Sequence, residues 1–132
     1  MSIEKRPVIK LRLSIFDKGV EIFGLLVLLA AWAYVLADYS KFSDSIPTHF
    51  SINGKPNAFG PKSDLYQLLT VCTSLYVLLT VANLFPQYFN YLKAITPENA
   101  ERRYTIATRI LRYMKVLIVL IFAALVFITT RY

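Results

Sequence analysis

From Leu65 to Phe85 the chain carries no charged side chain. Two further apolar runs, Ile22 to Ala37 and Val116 to Thr130, are closed at both ends by charges: Glu21 and Asp38 for one, Lys115 and Arg131 for the other. These runs constrain the fold more than any other feature. A helix crossing a hydrocarbon layer needs about 20 apolar residues, and its backbone polar groups must be satisfied internally. None of the runs alternates with period two along its length, so the strands of a barrel are not expected. Composition points the same way, with 56% hydrophobic and 17% charged residues against about 45–50% and 25% in soluble domains.

The expected architecture is an all-α membrane protein with three transmembrane helices in one domain covering residues 1–132. Residues 1–14 form an arm, 15–38 span one, 39–64 a loop, 65–92 span two with a kink at Pro86, and 97–130 an amphipathic helix continuing into span three. Glu21 to Asp38 is 17 steps and Lys115 to Arg131 is 16, about 25 Å each at 1.5 Å per residue. Snorkelling of Lys115 and Arg131, or pairing of Glu21 inside the bundle, would make up the missing length.

Local signals set the ends of these elements. Ser14-Ile15-Phe16-Asp17 fits a capping box with Ser14 as N-cap. Thr96-Pro97-Glu98 reads as an N-cap, a first-turn proline and an acid at the positive end of the helix dipole. Beyond it, Ala100, Tyr104, Ala107, Leu111 and Met114 are spaced for one helix face, which leaves Arg102, Arg103, Arg109 and Arg112 to meet lipid phosphates. The arm "RPVIKLRLSIF" alternates with the strand period, so it either pairs with another segment or lies extended along the headgroups.

The formal charge of +7 gathers around the apolar runs and not along a soluble helix face, so anionic lipid headgroups are the expected partner and nucleic acid is not. The arm and the second connection together hold eleven Lys and Arg, the first loop and the tail four. The positive-inside rule then places the N-terminus in the cytoplasm, the C-terminus outside, and the loop between spans one and two outside. Cys72 is alone, so no disulfide forms within the chain. No cleavable signal peptide is visible at the N-terminus.

That outer loop holds the only histidine and three of the six prolines. Ile46-Pro47 fixes an extended entry, and Asn53-Gly54 between two partly alternating runs is a strong hairpin signal. Gly60-Pro61 closes the unit, and Ser63 is placed to cap span two.

The stretch "IPTHFSINGKPNAFGPK" resembles the signature of domain-of-unknown-function family 1648, which occurs in SdpI-like bacterial membrane proteins. Ile46, Pro47, His49, Phe50, Gly54, Pro56, Phe59, Gly60 and Lys62 match the pattern. Ser51 stands where the family often has asparagine, Asn57 where it often has aspartate, and Phe42-Ser43 where Leu-Pro is common. "KRPVIKLRLSIFDKGVEIFG" and "FNYLKAITPENAERRYTIATRILRYMK" are also similar to flanking segments of small members, with Leu92 at a usual proline. The resemblance implies a multi-pass protein of the bacterial inner membrane. The SdpI branch, whose members are longer and have more spans, is linked to immunity against a secreted peptide toxin and to signalling.

The expected ligand- or partner-binding set is therefore Pro47, His49, Phe50, Asn53, Gly54, Pro56, Asn57, Phe59 and Lys62 on the outer loop. A lone histidine without a second His or a Cys nearby does not make a metal site within one chain. Imidazole suits pH sensing or ligand contact, or a plain hydrogen bond across its own hairpin, with Asp38, Asp44 or Asp64 as partner. Glu21, Asn83 and Lys115 are the intramembrane polar candidates, with Glu21 expected to pair with Lys115 or Arg112. Neither a catalytic motif nor a nucleotide-binding glycine pattern is present, so no enzyme and no cofactor is expected. The function expected is sensing of, or immunity to, an extracellular peptide or membrane partner protein. The other reading is a small transporter or channel subunit acting as an oligomer.

Overall fold

The computed structural model describes residues 5–132; the first four residues of the expected arm lie outside them. The chain forms helix α1 (Ile15–Asp38), an antiparallel hairpin of β1 (Ser45–Phe50) and β2 (Pro56–Pro61), helix α2 (Asp64–Ala82) and helix α3 (Ala100–Thr129). All three helices are long and apolar enough to cross a membrane. At 1.5 Å per residue they measure about 36, 28 and 45 Å, against a hydrocarbon core of about 30 Å.

α1 begins where the capping box puts it. The Asp17 amide donates to Ser14 Oγ at 3.0 Å and the Ser14 amide to Asp17 Oδ2 at 2.9 Å. Its buried face is Gly24, Leu28, Ala31 and Val35, one residue per turn. Gly24 marks a close approach there, since a Cβ would stand 3.0 Å from a methyl of Val116 on α3, which would have to give by a few tenths of an ångström. Small residues let helices approach in this way when lipid supplies no hydrophobic drive between them.

α3 is the central helix, and α1 and α2 pack on it while touching each other little. The buried apolar residues form three layers. At the hairpin end, Ala31, Val35, Leu65, Leu69 and Val126 surround Ile46 of β1. Leu28, Cys72 and Val119 fill the middle. At the arm end, Ile95, Ala100 and Tyr104 pack with Ile9, Leu11 and Tyr91. Much of the remaining helical surface is exposed Leu, Ile, Val and Phe, as a surrounding of lipid demands.

Three sequence expectations need correction. Span two does not run through Pro86 to residue 92. α2 stops at Ala82, with Leu84 and Phe85 bonded three residues back, and Pro86 opens a short 3-10 turn to Tyr88. Phe85, held off helical angles by the proline after it, sits at φ −126° and ψ 54°.

The inward face of α3 is Ala100, Tyr104, Thr108, Arg112 and Lys115, not Ala100, Tyr104, Ala107, Leu111 and Met114; Met114 is half exposed. The face turns because Arg112 and Lys115 reach acids on α1, so Arg112 does not point to phosphates.

The regular part of α3 starts at Ala100 and not at Pro97. The Thr96 cap is nonetheless real. The Thr96 amide donates to Asn99 Oδ1 at 2.9 Å and the Asn99 amide to Thr96 Oγ1 at 3.3 Å, a reciprocal pair across a preceding turn.

For the arm, where strand pairing and an unpaired path were both open, the described residues form no strand. Residues 7–14 belong to no regular element, and Ile9 and Leu11 lean on the Tyr104 layer while Lys10 and Arg12 face out. The Tyr104 hydroxyl donates to the Pro7 carbonyl at 3.1 Å. Arg6 donates to the carbonyls of Gln87 and Phe89 at 3.0 and 2.7 Å and lies over the Tyr91 ring. Alternation here records docking onto a helix.

Candidate functional site

Two places concentrate the predicted residues: the hairpin at one end of the bundle and a ladder of charges near the other. In the hairpin, turn chemistry comes first. The Gly54 amide donates to the Ser51 carbonyl and the Ser51 amide to the Lys55 carbonyl, both at 2.8 Å. Gly54 has φ +81°, and no other described residue has positive φ. Asn53-Gly54 are thus not the two central residues of a primed turn, which would need positive φ at both. Ile52 and Asn53 are the central pair and Gly54 follows in the left-handed region, the pattern of a three-residue hairpin loop. Asn53 Oδ1 supports it by accepting from the Lys55 amide at 3.2 Å and from the Ser51 hydroxyl.

Several motif residues hold the hairpin to the helices. Ile46 is 3% exposed and Pro47 is also buried. Lys62 Nζ donates to the carbonyls of Tyr39 and Phe42 at 3.1 and 3.4 Å, lies 4.8 Å from the Tyr39 ring centroid and 3.3 Å from Asp44. It binds the carbonyls that follow α1, where a cation complements the helix dipole. Lys62 is therefore a clamp and not a free ligand contact. Pro56 pairs opposite Phe50, whose ring packs on Tyr132 at 5.9 Å. At Gly60 a Cβ would come within 2.7 Å of Asp64 Oδ2 and 2.8 Å of the Thr48 methyl.

The residues left over face out. Register irregularities on either side of His49 set Thr48 and Asn57 outside the regular pairing. His49 Nδ1 then bonds Oδ1 of the exposed Asn57 at 2.5 Å. The histidine does bond across its own hairpin, but its partner is this amide and none of the three aspartates named from the sequence. An amide oxygen offers no proton, so Nδ1 donates and neutral His49 keeps Nε2 as an acceptor. Phe59, opposite Pro47, is 58% exposed.

At the other end, Asp17 and Glu21 stand one turn apart on α1 and meet Arg109, Arg112 and Lys115 on α3. Arg109 Nε reaches Asp17 Oδ1 at 3.0 Å, Arg112 Nη1 lies 3.5 Å from the same oxygen, and Arg112 Nε donates to Glu21 Oε1 at 2.8 Å. Lys115 Nζ donates to Glu21 Oε2 at 2.5 Å and to Thr80 Oγ1 at 3.0 Å, under the Tyr76 ring at 4.6 Å. Arg112 bridges both acids. Lys115, 1% exposed, is met by two hydrogen bonds and an aromatic face. Charges this deep persist only when paired and hydrogen-bonded. The expected Glu21 partners are both present; the pairing of Asp17 with Arg109 was missed. The signal was there: acids four apart on one helix face bases three apart on another.

Asn83, the third intramembrane polar candidate, makes an interhelical hydrogen bond, its Nδ2 donating to the Thr108 carbonyl at 3.0 Å. Tyr91, in the connection before α3, donates to the Pro86 carbonyl at 2.8 Å. Burial, and secondarily the neighbouring Tyr104, push its hydroxyl up to about 12, so it stays a neutral donor.

With this geometry in view, the comparisons with known proteins fall into place. The family model described as "Domain of unknown function (DUF1648)" matches residues 26–73, from within α1 through the hairpin into α2. The match falls on the segment that carries the loop motif and bears out the resemblance drawn from it. An uncharacterized protein of Archaeoglobus fulgidus is 28% identical over 75 residues, covering 51% of this chain and 41% of that protein. The chain thus aligns with about two-fifths of that relative's length. No solved structure matches. Its three helices, each long and apolar enough to cross a membrane, fit a multi-pass α-helical membrane protein.

Proposed function

We propose that the protein is a non-enzymatic component of a bacterial inner membrane whose hairpin lies outside the cell and recognises an extracellular peptide or a membrane partner protein. One observation carries the reading: the hairpin motif divides cleanly in two. Ile46, Pro47 and Lys62 hold it on the helices, Gly54 shapes its turn, and His49, Asn57 and Phe59 face out, with His49 and Asn57 bonded to each other. A seated scaffold presenting an oriented imidazole acceptor and an exposed ring suits recognition, in which preorganisation limits the ordering cost of binding. The orientation rests on the basic asymmetry of eleven against four. An oligomeric transporter or channel is disfavoured, because it would need Glu21 and Lys115 to line a wet path and they close on each other.

A photo-crosslinking side chain placed at Phe59 tests this in native membranes, with the same group at Leu78 on the apolar face of α2 as control. A discrete adduct from position 59, absent from position 78 and weakened by Asn57→Ala, is expected. Lipid-only adducts from position 59, or an adduct indifferent to Asn57→Ala, would overturn the reading.

A further inference from the structure

Beneath the hairpin, α2 and α3 leave a cleft of about 430 Å³, within the range of about 300–1,000 Å³ usual for ligand sites. Its walls are graded. Leu68, Val71, Phe122 and Leu125 form an apolar floor, and Thr48, Asp64, Gln67 and Thr129 stand among its polar lining. Val71 and Leu125 are partly exposed on the lateral surface, so the floor continues the apolar face turned to the hydrocarbon layer.

Asp64 is the only charged residue lining the cleft. Among the described residues it makes no ion pair and no side-chain hydrogen bond, whereas Asp38 and Asp44 both pair with lysines. Gly60 of the motif keeps this part of the cleft open: any side chain there would run into the Asp64 carboxylate and the Thr48 methyl, both of which line it.

We propose that this cleft is a phospholipid site selective for a primary-ammonium headgroup, the ammonium donating to Asp64 and an acyl chain lying along Leu68, Val71, Phe122 and Leu125. Charge complementarity selects the head, because the cleft offers an unpaired anion and no cation. A phosphatidylglycerol head brings only negative charge to Asp64, and a phosphatidylcholine head has no N–H to donate. The lateral opening selects a molecule already dissolved in the bilayer.

Native mass spectrometry of the full chain, released from vesicles containing equal phosphatidylethanolamine, phosphatidylcholine and phosphatidylglycerol, reads the selectivity directly. Retained phosphatidylethanolamine is expected in excess of the other two. Asp64→Asn should cut that preference about tenfold, the scale of one charge-assisted hydrogen bond, and Asp64→Glu should restore most of it. Leu125→Trp, which fills the floor away from Asp64, should lower retention of every lipid while the thermal transition stays near that of the parent. Equal retention of the three lipids, or unchanged preference in a folded Asp64→Asn, would overturn the proposal. So would a cationic amphipathic peptide that binds the cleft in detergent without displacing bound phosphatidylethanolamine.

Discussion

The two ends of the bundle are built by opposite means. At the hairpin end, the hairpin's own shape comes from residues close in sequence, a three-residue turn closed by Gly54 and a histidine bonded to an amide eight residues on, and a few apolar contacts such as Ile46 seat it on the helices. At the arm end, order comes from pairs more than ninety residues apart, Asp17 with Arg109 and Glu21 with Arg112 and Lys115. The hairpin end can therefore be altered locally with the spans intact. The arm end ties the first helix to the last, and a change there should be felt by the whole bundle.

The largest effect is expected at Glu21. Removing it leaves Arg112 with one acid and Lys115 with none, and breaking a buried pair costs about 3–5 kcal/mol. Glu21→Ala should lower the thermal midpoint in detergent more than any change in the hairpin. Glu21→Ala with Lys115→Ala should cost less than the two single changes added, since both then lose the same unpaired partner. Strict additivity would mean the two do not interact. Arg109→Ala, by contrast, removes a guanidinium that is 41% exposed and should cost no more than about 1 kcal/mol.

Intermediate effects belong to the hairpin glycines. Gly60→Val forces Asp64 and Thr48 apart, an overpacking penalty of about 1–3 kcal/mol. Gly54→Val places a branched residue in the left-handed region with open space around it, costing about 1–2 kcal/mol. Both should speed amide exchange in 45–61 while exchange in α1 and α3 stays slow. If exchange rose equally in the helices, the two ends would not be independent.

What the sequence made legible follows the same division. The start of α1, the hairpin and the three spans rest on signals within a few residues: a capping box, an Asn-Gly pair, unbroken apolar runs. The details that escaped rest on distant partners. Asp17 reads as a helix cap and serves as one, but its pairing with Arg109 depends on how α1 meets α3. The alternation of Ile9 and Leu11 carries the strand period, yet its cause is the Tyr104 surface the arm lies on. Lys62 reads as an exposed loop cation until the carbonyls after α1 come within reach of it. Local rules also erred once on local ground: Pro86 read as a kink within span two, but α2 has stopped four residues earlier, where Asn83 turns its amide to the Thr108 carbonyl.

The comparison presupposes that the two ends lie on opposite sides of one membrane, and this can be measured. Single cysteines are placed at Ile52, fully exposed at the hairpin tip, and at Arg102, exposed near the start of α3, in a Cys72→Ala background. Intact cells are treated with a membrane-impermeant maleimide. Labelling at position 52 at once, and at position 102 only after the membrane is opened, is the expected result. Labelling at 102 but not at 52 in intact cells would invert the orientation and remove the hairpin from any extracellular partner. Equal labelling of both in intact cells would contradict three spans.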